Sequence, residues 1–193
     1  RFTHPLALVV YLAFTCALVV ITFIDLQHFI IPDEISIPGI ILGLSLSLIP
    51  AGTAGYQMVL PASLPFVSSG TPSVAGSFLN SVLGCLAGGG FLYLTALFSL
   101  AVFKKEGMGG GDIKLMAMVG AFLGLKLVIM TMIIGSIFGA AVGISLIFMG
   151  LKERSDYIPF GPYLALGALL SLLYGDRLWD LYLQLLTLPP SIH

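Results

Sequence analysis

Two carboxylates sit where an otherwise apolar chain has little reason to carry charge. Asp112 closes the stretch Glu106-Gly107-Met108-Gly109-Gly110-Gly111-Asp112-Ile113-Lys114. Asp25 ends the first apolar run, in Ile24-Asp25-Leu26-Gln27-His28-Phe29-Ile30-Ile31-Pro32-Asp33. A charged side chain at membrane depth costs at least about 2.5 kcal/mol on insertion scales, so a carboxylate there points to function. The glycines ahead of Asp112 permit a tight turn and let another stretch of chain come near it. The plainer reading of Asp112 is a helix start, a Gly-rich turn followed by a cap or first-turn residue that exposed amides and the helix dipole favour. A second acidic position at a membrane edge shifts the balance toward chemistry.

Two aspartates brought together at the end of a helix bundle can share one proton, because like charges about 3 Å apart resist ionising together. Such a pair can hydrolyse an amide: the ionised member takes a proton from the attacking water, and the protonated member donates to the developing oxyanion or leaving amine. No metal or other cofactor is needed. Asp25 falls in a last turn, where the dipole opposes negative charge, and Asp112 in a first turn, where it favours it. The expectation is therefore Asp25 protonated and Asp112 ionised, with Lys114 pushing the same way and the two titrating as one coupled unit.

Other polar residues nearby carry weaker readings. Asp33 and Glu34 follow Pro32 and read as residues capping or preceding the next helix, with substrate contact as the lesser reading. His28 shares a helix face with Asp25. It has no second His or Cys nearby and reads as a solvated turn residue, so no metal site is expected. Lys114 is either a neighbour of the aspartate pair or a lipid-headgroup anchor. Pro159, Phe160, Gly161 and Pro162 most simply form a rigid helix start. Their placement leaves a substrate-groove role open.

The elements that must position these residues are helices in a bilayer. Of the 193 residues, 58% are hydrophobic and 9% charged, with a net charge of −1; the mean hydropathy is +1.08. That balance excludes an ordinary soluble domain and gives no support to a nucleic-acid partner. Cys16 and Cys85 lie in apolar runs without CxxC or metal spacing and read as buried free thiols. The first apolar run lacks a small-residue cleavage site and does not read as a removable signal peptide.

Apolar stretches of about 20 residues can be marked off along the chain, predicting an all-α polytopic bundle of about six transmembrane helices in a single domain, 1–193. They run roughly over 5–25, 36–49, 76–103, 112–124, 127–150 and 158–174. Ser36 is the expected N-cap of the second. The stretch 51–75, rich in Gly, Pro, Ser and Thr and without charge, reads as a long non-cytoplasmic loop. Residues 176–193 form a possible interfacial tail, with Trp179 and Tyr182 suited to the headgroup level. Gly84, Gly88, Gly89, Gly90, Gly135, Gly139 and Gly143 read as helix-packing positions.

Threading these spans alternately brings Asp25, Asp112 and the Pro159–Pro162 turn to one face. That face carries Lys104, Lys105, Lys114, Lys152 and Arg154, and the other Arg1, Lys126 and Arg177. The positive-inside rule makes the aspartate face cytoplasmic.

These motifs resemble the type IV prepilin peptidases, membrane aspartyl proteases of the GxGD class. Gly109-Gly110-Gly111-Asp112 reads as GxGD, the stretch from Phe23 to Pro38 resembles the family's first catalytic-aspartate segment, and Ile158-Pro159-Phe160-Gly161-Pro162-Tyr163 its late segment. The resemblance implies Asp25 and Asp112 as the catalytic pair in the bacterial inner membrane, facing the cytoplasm. It also implies prepilins or pseudopilins as substrates, cut after a glycine to release a short basic leader. Larger members carry an N-terminal domain with paired CxxC zinc motifs, associated with methylation. Nothing here matches it, so methyltransferase activity is not expected of this chain unless Arg1 marks a truncation. The presenilin and signal-peptide-peptidase branch fits less well, because Ile24 precedes Asp25 and Pro-Phe-Gly-Pro stands near the end.

Two readings come from other classes. A small proton- or cation-coupled transporter could use the same aspartates; their location at one membrane edge argues against it, since transporter sites lie near the midplane. In a structural assembly subunit the aspartates would only be caps.

Overall fold

In the first helix, apolar residues surround the axis, and packing alone decides which side faces inward. Ala7, Tyr11, Phe14, Leu18, Ile21 and Asp25 are buried, at alternating spacings of four and three, whereas Leu8, Val9, Leu12, Val19 and Phe23 are exposed. That is one stripe on a helix whose remaining surface suits lipid. Asp25 is the last member of the stripe.

The computed structural model describes residues 5–49, 74–104, 109–151 and 159–187, all in helices and short turns. Helix α1 spans Pro5–His28, α2 Asp33–Leu46, α3 Val74–Phe103, α4 Gly110–Phe148 and α5 Gly161–Thr187. The core is built mainly from α4 and α5 with the inward stripe of α1, and includes Leu18, Ile21, Leu115, Met116, Met118, Val119, Leu164 and Ala168. Phe14 of α1 stacks on Phe122 of α4 with ring centroids 4.7 Å apart.

Helix α4 is broken at Gly124, whose φ of 74° and ψ of 179° leave the helical region. A positive φ is cheap only for glycine. The two arms fold back on each other: a Cβ on Gly88 of α3 would strike both the Met116 carbonyl oxygen and Val128 Cγ2. In a straight helix those two residues would lie about 18 Å apart. Helix α3 stitches the break. Beside the break the Leu125 N–H donates to Asn80 Oδ1 at 3.1 Å, and Ser81 Oγ donates to the Ala121 carbonyl. Both residues are buried. Close by, Gly84 meets Gly120 so tightly that a Cβ on either would strike the other's backbone carbonyl oxygen.

Fewer full spans are shown than the expected six. Among the described residues, three helices are long and apolar enough to cross a membrane, Leu6–His28, Val74–Val102 and Gly110–Phe148. Helix α2 has 14 residues, a length of about 21 Å against a hydrocarbon core of about 30 Å. The expected fourth and fifth spans are the two arms of α4. Helix α5 continues through Gly175 to Thr187, and Asp176, Arg177 and Asp180 dilute its apolar character. The chain is thus a helical membrane protein. The 51–75 loop lies outside the described residues except for its last two, which open α3, and 188–193 lie outside them as well.

Helix α2 also starts earlier than expected. It begins at Asp33, and Ser36 is no N-cap: buried within the first turn, its Oγ donates back to the Pro32 carbonyl at 3.1 Å. Pro32, fixed in an extended conformation, sets the start instead.

Candidate active site

Asp25 occupies the last turn of α1. The helix stops because Phe29 takes a left-handed φ of 56°, with its N–H donating to the Asp25 carbonyl at 2.9 Å. The side chain is 3% exposed and faces the Gly161 amide at the start of α5. Any side chain at position 161 would collide with it, since a Cβ there would lie 2.5 Å from Asp25 Oδ2. Oδ2 is buried without a hydrogen-bond partner among the described residues. Leaving a buried acceptor unmade costs about 1–3 kcal/mol, more for a charged group. Buried polar atoms of this kind collect at functional sites.

Asp112 occupies the first turn of α4. Gly109, extended at φ −68° and ψ 138°, precedes the helix, and the Asp112 N–H donates to its carbonyl at 3.2 Å. The carboxylate is 4% exposed. It faces the Gly109 amide and lies within Coulombic reach of Asp25. The chain from α1 to α2 passes close to this turn, and a Cβ on Gly111 would come within 2.8 Å of Ile31 Cβ.

Asp25 and Asp112, 87 positions apart in sequence, line one cavity of about 530 Å³, together with Ile31, Asp33, Glu34, Lys114 and Gly109–Gly111. Lys114 does not turn to Asp112. Its Nζ donates to both oxygens of Asp33 at 2.7 Å, joining the start of α2 to the start of α4, with both side chains about half exposed. Glu34 is exposed on the rim. His28 is exposed and does not line the cavity.

The late segment is divided in its contacts. Gly161 abuts Asp25, whereas Phe160 lies against α4, where a Cβ on Gly139 would be 3.0 Å from its ring. Pro159 and Pro162 are half-buried, and neither lines the cavity. Sequence reasoning had no grounds for Ile31, the last of three apolar residues between a helix end and a proline. Nor did it foresee the Asp33–Lys114 pair, which joins residues 81 positions apart.

Residues 12–144 match the profile of the type IV leader peptidase family. Among curated proteins, the chain is 36% identical to a prepilin leader peptidase/N-methyltransferase of Aeromonas hydrophila over 176 residues, 89% of this chain and 51% of that protein. It is 31% identical to a protein of the same name in Pseudomonas putida over 188 residues, 96% of this chain and 57% of that one. A third, from Bacillus subtilis (strain 168), is 32% identical over 148 residues, covering 74% and 58%. The chain spans about half the length of the curated relatives it matches. No solved structure matches it.

Proposed function

The chain belongs to the type IV leader peptidase family, and on that premise we propose that it is a membrane aspartyl endopeptidase using Asp25 and Asp112. Its substrates are prepilins or pseudopilins, from which it removes the leader at the cytoplasmic face of a bacterial inner membrane. The supporting observation is the pairing of two buried carboxylates in one cavity, one of them with an oxygen that has no hydrogen-bond partner among the described residues.

The chemistry follows from the arrangement. With one proton held between the two carboxyl groups, the ionised member accepts a proton from water as the water oxygen bonds to the scissile carbonyl carbon. The other gives its proton to the developing oxyanion. The first member then passes its proton to the amine nitrogen as the C–N bond breaks, and the second takes a proton back from a hydroxyl of the tetrahedral intermediate as the new carboxyl group forms, which frees the new N-terminus and leaves the pair with one proton again. Backbone amides of Gly109 and Gly161 face the two carboxylates and hold them in place without a bulky neighbour. The rim of Asp33, Glu34 and Lys114 provides the polar edge at which a peptide leaves lipid. The N-methyltransferase activity named for the relatives is not part of this proposal.

Orientation rests on the positive-inside rule applied to the sequence, in which threading the spans alternately assigns five of the eight Lys and Arg residues to the aspartate face and three to the other. The test is cleavage of a prepilin-type substrate by purified protein in detergent or lipid, with EDTA present. Wild type, Asp25→Asn and Asp112→Asn are compared. Cleavage by wild type alone supports the pair; full activity in either variant overturns it.

A further inference from the structure

The two carboxylates are carried by segments with no covalent connection near the site, so something has to fix the distance between them. One apolar side chain lies against a glycine that neighbours each of them. Ile31, in the short link from α1 to α2, is 6% exposed. On one side it lies against Gly111, the residue before Asp112, where a Cβ would be 2.8 Å from Ile31 Cβ and 3.3 Å from Cγ1. On the other its Cδ1 would lie 3.2 Å from a Cβ on Gly161, the residue that abuts Asp25. Both neighbours are glycine, so the isoleucine meets backbone on each side. Backbone does not change rotamer to accommodate a contact, and a spacer seated between two such surfaces transmits position with little slack.

The link itself is held at both ends. Phe29 ends α1 in the left-handed region with its N–H on the Asp25 carbonyl. Two residues after Ile31, Asp33 is gripped by both hydrogen bonds from Lys114, two residues after Asp112. Ile31 is therefore pinned between one anchor on the Asp25 helix and another on the Asp112 helix.

We propose that Ile31 is a positioning residue that sets the spacing of Asp25 and Asp112 by wedging between Gly111 and Gly161. The proposal rests on the reading of those aspartates as the catalytic pair. It assigns the two halves of the side chain different duties. Cβ and Cγ1 hold the Asp112 turn, and Cδ1 holds the start of α5 against Asp25.

The experiment measures kcat, KM and the pH profile of cleavage for wild type, Ile31→Val, Ile31→Ala and Asp112→Asn, alongside thermal unfolding in the same detergent. Ile31→Ala is expected to lose about 100-fold in kcat, the scale of a misplacement of about 1 Å, with little change in KM. The gap between the two apparent pKa values of its pH profile changes too, because coupling between the carboxyl groups depends on their distance. Ile31→Val keeps the Gly111 contact, loses only Cδ1 and folds normally, so its kcat falls between wild type and Ile31→Ala.

Wild-type kcat and an unmoved pH profile in Ile31→Val and a folded Ile31→Ala would overturn the inference and leave the peptidase reading standing. Cleavage by Asp112→Asn at the wild-type rate would overturn the catalytic pair, and the inference with it.

Discussion

Replacing Gly161 with alanine adds one methyl group where the catalytic proposal is most sensitive to it. The new Cβ would lie 2.5 Å from Asp25 Oδ2, where ordinary van der Waals contact begins at 3.4 Å, and 3.2 Å from both Asp25 Cγ and Ile31 Cδ1. The atom most crowded is the tip of a side chain, so the carboxylate yields before the backbone does, and it must retreat by about 0.9 Å. Overpacking of this kind costs about 1–3 kcal/mol. Part of that is offset because alanine favours a helix over glycine by about 1 kcal/mol. Stability therefore changes modestly.

Activity does not escape so lightly, since a misplacement of about 1 Å in a reacting group costs on the order of 100-fold. The variant is expected to keep its thermal transition in detergent, bind a prepilin-type substrate with an ordinary KM and lose about two orders of magnitude in kcat. The assay is steady-state cleavage followed by gel or mass spectrometry, with unfolding recorded on the same preparation. A folded Gly161→Ala protein with wild-type kcat would refute the claim that the Asp25 carboxylate must stand where the structure puts it.

Other substitutions separate the parts of the fold. Charge-removing Asp33→Asn or Lys114→Met breaks a half-exposed pair, so thermal unfolding is expected to report a change within about 1 kcal/mol; the swapped pair Asp33→Lys with Lys114→Asp restores whatever activity the single changes lose. Asn80→Ala strips the Leu125 N–H of its acceptor at the α4 break and is expected to lower stability by about 1–2 kcal/mol, read from the melting curve, with kcat unchanged. Gly120→Ala sets a methyl against the backbone at Gly84. Neither helix can step aside there, so the cost exceeds about 3 kcal/mol and shows as loss of folded protein in size-exclusion chromatography.

The sequence made Asp25 and Asp112 visible because each is a lone charge at the end of an apolar run, and the cost of burying it demands a reason. The alternation of spans also predicted that they meet at one end of the bundle. Less legible was how many spans there are. Counting apolar stretches treats the 14 residues of α2 like a full crossing, and it cannot see that 112–124 and 127–150 are arms of one helix turned back at Gly124. Both ends of that reversal were marked in sequence by Gly124 and Lys126, but the acceptor that makes the break tolerable, Asn80, lies 45 positions away. The role of Lys114 stayed open for the same reason. Local spacing put it near Asp112, and it lines the same cavity, but the carboxylate that it pairs with is on another helix. Ile31 had no signal at all, since its role depends on two glycines brought to it by tertiary packing.

The arms of α4 are unequal. The first covers 110–123, the second 125–148. Because Gly139 of the longer arm lies against Phe160, next to the Gly161 that abuts Asp25, that arm runs nine residues beyond the level of the carboxylates, about 13 Å. The aspartates are thus recessed below the tip of the helix beside them. On the proposed reading, a scissile bond would have to be lowered into the protein alongside a wall that stays apolar above it, with Ile144 and Phe148 exposed on that overhang. Reach would then act as a selection rule: a peptide segment extended enough to descend past the overhang is expected to be cut, and a rigid helix ending flush with the wall is not.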